Sequence, residues 1–586
     1  MTKNKIVVKS MTLLVFSVVN LLYMYLYFIC EGLFLRDLFT PYTILFVLCN
    51  ALFDVSLLLV IVLFLTAGRW RLSLNVVYVL TLLWSFANVF YSRFFFQSLT
   101  ISSLIQVGSL LDGVVLNSMA SGFRWIDLLY ILSIVLFVYA NIKIETLDLP
   151  KKIKVIICLL PVMSVLSSCV VFISYCILNP HCRTNKDLIG QVFEFYVSNP
   201  MGRRYVYPNN SFVCSGSIRF LVSDFISEFA PRNLSDQDII EIKKKYKNHE
   251  LRVTNNRRPP VRNVIFIILE SFLSKSSDLV VDGKEITPFL NSLKRDSNVY
   301  YNGAVKSNVT VGQSGDGQFT YMTGLLPLRS KVTVGVAKKR RLVGLPQLLK
   351  ERYGVKYTEI VIPTSPSIWE QNFMNKQYGI DNMYYAVESG DLKQVDEKHV
   401  FSIAMNHGIQ MKQPFFQMIL GISTHEPYDD AINGFRVSNK GYSDEYCNYL
   451  SACHYVDHAI EEYFQFLKQN GLYDNSLIVI ASDHCPPLRA LNMNNEEGLA
   501  DMPLYIVNCG LDNASVHSGG GNSLDVYTTI LDVLNIDNAW LGLGHTLLSN
   551  RYVNSVNDSV YSLSEKIILG DYFRTGYSSH PKNLCN

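Results

Sequence analysis

The chain has 586 residues and a formal net charge of +3 at pH 7. That length exceeds one ordinary core and implies two or more domains, and the nearly balanced charge leaves no case for nucleic-acid binding. Hydrophobic residues make up 49% and charged residues 17%, against about 25% charged in typical soluble proteins; the imbalance sits in the first third of the chain.

In chain order, five apolar stretches come first, near 10–30, 43–66, 74–92, 125–142 and 155–178. Each approaches the roughly 20 apolar residues a helix needs to cross a bilayer. No small-residue cleavage site follows the first, and four more runs succeed it, which argues against a removed signal peptide. The stretch 99–119 is less apolar and reads as re-entrant or interfacial. Lys3 and Lys5, then Arg69 and Arg71, then Lys143, Lys151, Lys152 and Lys154 fall on one side of a five-span arrangement. That side is the cytoplasm by the positive-inside rule. Arg93 and Arg124 fall on the other side, a minor blemish. An odd number of spans places everything after about residue 180 outside.

The expected organisation is therefore a five-helix transmembrane domain at 1–180, a connector at 181–260 and an outer catalytic domain at 261–586. Of the twelve cysteines, Cys30, Cys49, Cys158, Cys169 and Cys176 lie in the spans and read as packing residues. The other seven show neither zinc-knuckle nor disulfide-framework spacing. In the connector, Lys243-Lys244-Lys245 reads as a solvated helix face, and the segment ends at Arg257-Arg258-Pro259-Pro260.

Beyond that break, Val264–Leu269, Ile360–Ile362, Phe416–Gly421, Leu477–Ile480 and Leu504–Val507 are short Ile/Val-rich runs that predict buried strands. Longer amphipathic segments lie between them, such as Tyr449–Gln469. Strands alternating with helices predict an α/β domain with a mainly parallel central sheet. Such sheets place chemistry beyond the carboxyl ends of their strands. Three strands deliver polar residues there: Glu270 after the first, Ser423-Thr424-His425-Glu426-Pro427 after the third, and Ser482-Asp483-His484 after the fourth. A carboxylate and an Asp-His pair form an oxygen and nitrogen ligand set suited to a divalent metal. By themselves, a lone Glu after a strand also serves as a helix cap, and an isolated Asp-His is common.

The segment N-V-I-F-I-I-L-E-S-F at 263–272, followed by T-P-F-L-N-S-L at 287–293, resembles the opening of sulfatase-type catalytic domains, and specifically the lipoteichoic acid synthase family. The resemblance covers roughly 260–550 with the motifs in order, and the membrane part is similar in span count and topology. It implies that Glu270 binds a metal and that the nucleophile lies in a short Gly-containing loop ahead of a helix. Here that loop is G-Q-S-G-D-G-Q-F at 312–319, which puts Ser314 at the nucleophile position. The metal pair falls on Asp483 and His484, a substrate-contacting histidine on His425, and a pocket tryptophan on Trp369. The family nucleophile is usually Thr, and Ser keeps the hydroxyl. The family's phosphate-binding Arg, two residues after the Trp, is here Gln371, which removes a fixed cation.

Cys485-Pro486-Pro487-Leu488-Arg489 imitates the C-x-P-x-R core that sulfatases convert to formylglycine. It follows the wrong strand, and no Thr-Gly pair lies nine and ten residues beyond Cys485. From Ser314 those positions are Thr323 and Gly324. Lys338-Lys339-Arg340-Arg341 reads first as a solvated loop, with contact to lipid phosphates as the alternative. His454 and His458, four apart on a helix, read as surface or packing residues, and Asp525 as structural.

The resemblance implies a membrane-bound phosphoglycerol transferase of the bacterial cytoplasmic membrane, with its catalytic domain extracytoplasmic. Glu270, Ser314, Asp483 and His484 would hold one divalent metal, manganese or magnesium, with zinc as the alternative. Ser314 and His425 would be catalytic, and Trp369, Gln371 and His425 would bind substrate. The donor would be a membrane phospholipid and the acceptor a component of the cell envelope. Other readings are a phosphoethanolamine transferase, a phosphodiesterase or sulfatase-type hydrolase, and an inactive membrane scaffold. Against the first, His484 is followed by Cys-Pro-Pro rather than that branch's Gly-Glu-Ser.

Overall fold

The computed structural model of the chain describes 41–64, 70–95, 151–178 and 234–247 as continuous stretches, scattered positions between 99 and 225, and most of 261–574. The chain divides into two compact units, one comprising 1–105 and 119–230, the other 106–118 and 231–586.

In the first unit, helices α1 (Pro41–Phe64), α2 (Trp70–Phe95) and α3 (Lys151–Leu178) coincide with three of the apolar stretches. The stretch 10–30 lies outside the described residues, and 125–142 is described only in part. Helix α1 packs along α3 and also touches α2. Val155, Ile156, Leu159, Val162, Met163 and Leu166 of α3 remain 50–58% exposed. Among the described residues no helix satisfies both the length and the apolarity set for a membrane crossing.

In the second unit, α4 (Asp236–Lys247) carries the lysine run. Eight strands then form one sheet: β1 (Asn263–Leu269), β2 (Val299–Lys306), β3 (Tyr357–Ile362), β4 (Asn382–Tyr385), β5 (Phe415–Leu420), β6 (Ser476–Ser482), β7 (Met502–Val507) and β8 (Gly521–Asn522). Their order across the sheet is β8-β2-β7-β6-β1-β5-β3-β4. The pairings from β6 through β1, β5 and β3 to β4 are all parallel, and β7 runs antiparallel to both β6 and β2.

The five expected strands all form. Three more appear that the apolar pattern does not announce: β2, β4 and the two-residue β8. Strand β2 (VYYNGAVK) breaks its run with Asn302 and Gly303, and its pairing slips there. Strand β4 is only half-buried along its length.

Both faces of the sheet are covered. Val264, Phe266 and Ile268 of β1 enter one core, and Ile265, Ile267 and Leu269 enter the other. This is the physical reason β1 reads as an unbroken apolar run. The first core is closed by α6 (Gln313–Thr323), which packs on α11 (Ser523–Val533). The second is closed by α10 (Asp444–Gln469), packed against α5 (Pro288–Lys294) and α9 (Glu397–Gly408). Helices α7 (Thr333–Ala337), α8 (Gln371–Tyr378) and α12 (Asp558–Leu569) complete the unit.

Candidate active site

The register of β1 against β6 brings the first two site residues together. Leu269 pairs with Ser482, so Glu270 and Asp483 leave adjacent strands side by side, and parallel neighbours lie about 4.8 Å apart. Strand β5 flanks β1 on the other side and delivers Thr424 and His425. The Thr424 hydroxyl donates to the Glu270 carbonyl.

Ser314 arrives from a different direction, at the first turn of α6. Its Oγ donates to Glu270 Oε2 at 3.3 Å and lies 3.1 Å from His484 Nε2. His484 Nε2 is 3.4 Å from Glu270 Oε1 and 3.6 Å from Asp483 Oδ2. The ring is oriented from behind, because its Nδ1–H donates to the Cys485 carbonyl at 2.9 Å. That leaves Nε2 facing the carboxylates, the arrangement typical of a metal-binding histidine.

One ligand atom each from Glu270, Asp483 and His484 lie within 4.8 Å of one another, and all three residues are buried. Burial opposes ionisation of Glu270, yet the hydrogen bond and charge of His484, with the charge of His425, hold its carboxyl down at about 2. Burial and then Glu270 push Asp483 up to about 7. Burial disfavours the His484 cation, but Asp483 and Glu270 hold the imidazole up at about 10. Two carboxylates and an imidazole converging in one buried place are oxygen and nitrogen donors of the kind that hold a divalent metal. The donor set therefore fits a divalent cation.

The loop before α6 is held by Asp316. Its Oδ2 accepts from the Gly312 amide at 2.8 Å, the Thr310 amide at 3.0 Å and the Thr310 hydroxyl at 2.8 Å. Burial pushes this carboxyl up. Helix α6 is fastened to the end of β6 by Tyr321, whose hydroxyl donates to the Ser482 carbonyl. The contact is closest at Gly317, where a Cβ would lie 2.4 Å from the Asp483 carbonyl oxygen.

Trp369 sits over the loop, and a Cβ at Gly315 would meet its ring at 2.9 Å. Trp369 and Glu370 are both left-handed, with φ of 51° and 57°, as are Ser271 at 48° and Gln313 at 43°. Such backbone costs about 1–3 kcal/mol per residue and concentrates at functional sites.

Gln371 is buried and pairs amide to amide with Gln318 of α6, at 3.2 Å and 2.5 Å. His425 is exposed, and its Nδ1–H donates to the Glu426 carbonyl at 2.5 Å. Its imidazole and the Glu426 carboxyl lie within electrostatic reach of Glu270 and His484.

Sequence reasoning missed the supporting residues. Ser271 joins two ligands, its amide donating to Asp483 Oδ1 at 2.8 Å and its hydroxyl to Glu270 Oε1 at 2.9 Å. Ser482 accepts from the Phe272 amide at 2.7 Å and donates to the His484 carbonyl at 2.9 Å. Only their adjacency to the ligands could have signalled them. Cys485 contributes its carbonyl, and burial pushes its thiol up, away from the reactive thiolate. His454 and His458 stand apart on α10, their Nε2 atoms 3.2 Å apart, with His454 Nδ1–H donating to the Ile286 carbonyl. Asp525 is buried and accepts from the Asn522 and His545 amides and the Ser555 hydroxyl, a structural knot at the start of α11.

A doubly covered, mostly parallel sheet here carries a hydroxyl beside an Asp, Glu and His nest at its carboxyl edge, in the part of the chain that is similar to sulfatase domains. A family model for sulfatase matches residues 262–536, and one for the lipoteichoic acid synthase N-terminal domain matches 1–186. Lipoteichoic acid synthase 2 of Bacillus subtilis (strain 168) is 26% identical over 530 residues, covering 84% of this chain and 76% of that protein. Lipoteichoic acid synthase of Staphylococcus aureus (strain USA300) is 27% identical over 415 residues, covering 68% of this chain and 61% of that protein. A solved Streptococcus pyogenes phosphoglycerol transferase, GacH, in complex with sn-glycerol-1-phosphate, has a TM-score of 0.38 at 15% identity, covering 60% of this chain and 94% of that one. Both parts of the chain are thus similar to the lipoteichoic acid synthases, the sulfatase match falling on the second unit and the N-terminal-domain match on the first.

Proposed function

We propose that the chain moves the phosphoglycerol headgroup of a membrane phospholipid to a cell-envelope acceptor through a covalent phosphoserine on Ser314. The observation that carries this reading is the Ser314 hydroxyl, 3.1 Å from His484 Nε2 and 3.3 Å from Glu270 Oε2. A hydroxyl held against a cation-binding nest is an activated nucleophile.

Glu270, Asp483, His484 and Ser314 Oγ would hold one divalent cation, manganese or magnesium, with zinc as the alternative. When bound, the cation lowers the hydroxyl pKa and offsets charge on the phosphoryl oxygens. Ser314 Oγ, its proton released to water, attacks the phosphodiester phosphorus, forming the Oγ–P bond. The P–O bond to diacylglycerol breaks, and the departing alkoxide takes a proton from His425 or water. In the second half-reaction an acceptor hydroxyl attacks the same phosphorus, its proton passes to the base left behind, and Ser314 is released. The amides at the start of α6 favour the phosphoryl oxygens. Trp369, Gln371 and His425 bound the substrate side. The Gln318–Gln371 pair offers dipoles where an arginine would offer a charge, so phosphate binding relies more on the cation and the helix start.

Support for a membrane location comes from the match over 1–186 and from the exposed apolar side chains of α3, which need an apolar environment. In this reading the catalytic unit is extracytoplasmic and shares a bilayer with its donor.

Incubation of the full-length chain with manganese and phosphatidylglycerol, followed by intact mass, tests the proposal. A glycerol-phosphate adduct on the wild type and none on Ser314→Ala is expected. An adduct only with phosphatidylethanolamine would transfer the protein to the rival donor, and no adduct with either lipid would sink the covalent route.

A further inference from the structure

The basic run at 338–341 is built into the mouth of the site. It follows α7, which packs on the Ile368–Glu370 turn. Lys338 Nζ donates to Glu370 Oε1 at 2.5 Å and lies 5.5 Å from the centre of the Phe373 ring. Gln377 Nε2 donates to the Lys338 carbonyl at 3.2 Å. The run is thus stitched to the segment that carries Trp369, whose ring covers Gly315 next to Ser314.

The backbone of the run is held from behind. Asp571 Oδ1 accepts from the Arg341 amide at 2.8 Å, and an Arg574 Nη donates to the Lys339 carbonyl at 2.8 Å. Its side chains are not similarly engaged. Lys339 and Arg341 are exposed, Arg340 is half-buried with its Nε enclosed, and among the described residues the three side chains make no hydrogen bond or ion pair. Phe373, whose ring centre lies 5.5 Å from Lys338 Nζ, is 52% exposed. The other exposed large apolar side chains described in this unit, Ile240, Val280, Ile409 and Tyr442, belong to other segments. A merely solvated loop accounts for the cations, but not for a half-exposed aromatic ring at the foot of the run, under Lys338.

We propose that Lys339, Arg340, Arg341 and Phe373 form a docking surface for an anionic lipid bilayer, which holds the mouth of the active site against the headgroup layer. The chemistry is complementary. Each Lys or Arg near an anionic surface strengthens binding by about fivefold, and aromatic rings settle at the membrane interface. A phosphate polymer would match the cations and leave the ring unexplained. The proposal rests on the lipid-headgroup reading, because a donor embedded in a bilayer must present its phosphate to Ser314 at the bilayer surface.

The test uses the full-length chain in nanodiscs. Two variants are made, Phe373→Ser and the triple change Lys339→Gln, Arg340→Gln, Arg341→Gln. Headgroup transfer is measured from long-chain phosphatidylglycerol in the disc and from water-soluble dihexanoyl phosphatidylglycerol. For both variants the apparent KM for the long-chain donor should rise by about fivefold or more, and most for the triple change, while kcat/KM on the soluble donor stays within about twofold. A parallel loss on both donors, or no change on either, overturns the proposal. Hydrogen exchange supplies a readout independent of activity. Amides of 333–341 and 371–378 should be protected in anionic discs relative to phosphatidylcholine discs, and less so in the triple variant. Protection by soluble poly(glycerol phosphate) instead of by anionic discs would make the patch an acceptor site and overturn lipid docking. If the wild type transfers from neither donor, the transferase reading fails, and the exchange comparison still decides the docking.

Discussion

At the scale of single residues, Ser314, Glu270, Asp483 and His484 illustrate how charge balance defines a site. Two buried carboxylates share one imidazole, a donor set that fits a divalent cation. Cation binding should therefore stabilise the fold as well as enable chemistry. Manganese at about a hundredfold its dissociation constant should add about 2.7 kcal/mol. Thermal unfolding should show that gain in the wild type, its reversal by a chelator and its absence in Asp483→Ala; an equal gain in the variant would place the cation elsewhere. Asp316 acts through its neighbours, since its carboxyl holds the loop that aims Ser314 and ties it to Thr333 of α7. Asp316→Asn keeps the shape and weakens the charged acceptor of three hydrogen bonds. It should lower the rate of serine phosphorylation by about tenfold to a hundredfold with little change in cation affinity, measured by single-turnover mass analysis and calorimetry.

At the scale of elements, α6 and β6 meet backbone to backbone at Gly317. A methyl group there would press on the Asp483 carbonyl, which cannot move without shifting the ligand it carries. Gly317→Ala should therefore displace the nucleophile helix and reduce turnover by about a hundredfold, with the circular dichroism spectrum retained. Unchanged turnover would show that the helix has slack.

Helix α10 contributes a different device. Asp457 accepts from the Phe289 and Leu290 amides at 2.9 Å and 2.7 Å, capping α5 from a neighbouring element. Burial pushes its carboxyl up to about 7. Between the ordinary aspartate range and pH 7 the folded chain holds a proton there that the unfolded chain has released. Stability from this group is full below about pH 4 and declines as pH rises to about 7. Urea unfolding at pH 5 and pH 8 should show a larger decline in the wild type than in Asp457→Asn; equal declines would exclude Asp457 as the source.

At the scale of the whole molecule, the pattern of apolar residues carried most of the architecture. An unbroken run such as VIFIIL is the mark of a strand covered on both faces, and β1 is covered on both faces. Strands β2 and β4 escaped because Asn302 and Gly303 interrupt one and the other is half-buried, so neither bears the periodic signature. The clustering of Glu270, Asp483 and His484 was legible because polar residues of parallel sheets collect just past strand ends. Ser314 was legible only through the resemblance, since a hydroxyl in a glycine-rich loop has no periodicity of its own. Gln371, expected on the substrate side, turns out to be paired with Gln318, a contact between residues 53 apart that no local pattern encodes.

The sequence by itself thus determined the α/β class, the strand ends that carry the chemistry, and the oxygen and nitrogen character of the ligand set. These follow from local hydrophobic periodicity and residue type, which a linear chain displays directly. The tertiary structure alone decided that Leu269 pairs with Ser482, that Ser271 bridges two ligands, that Trp369 covers Gly315, and that a basic run borders the site. Those facts depend on strand register and on helices packing from distant parts of the chain, and register is fixed only when both faces of the sheet find their cores.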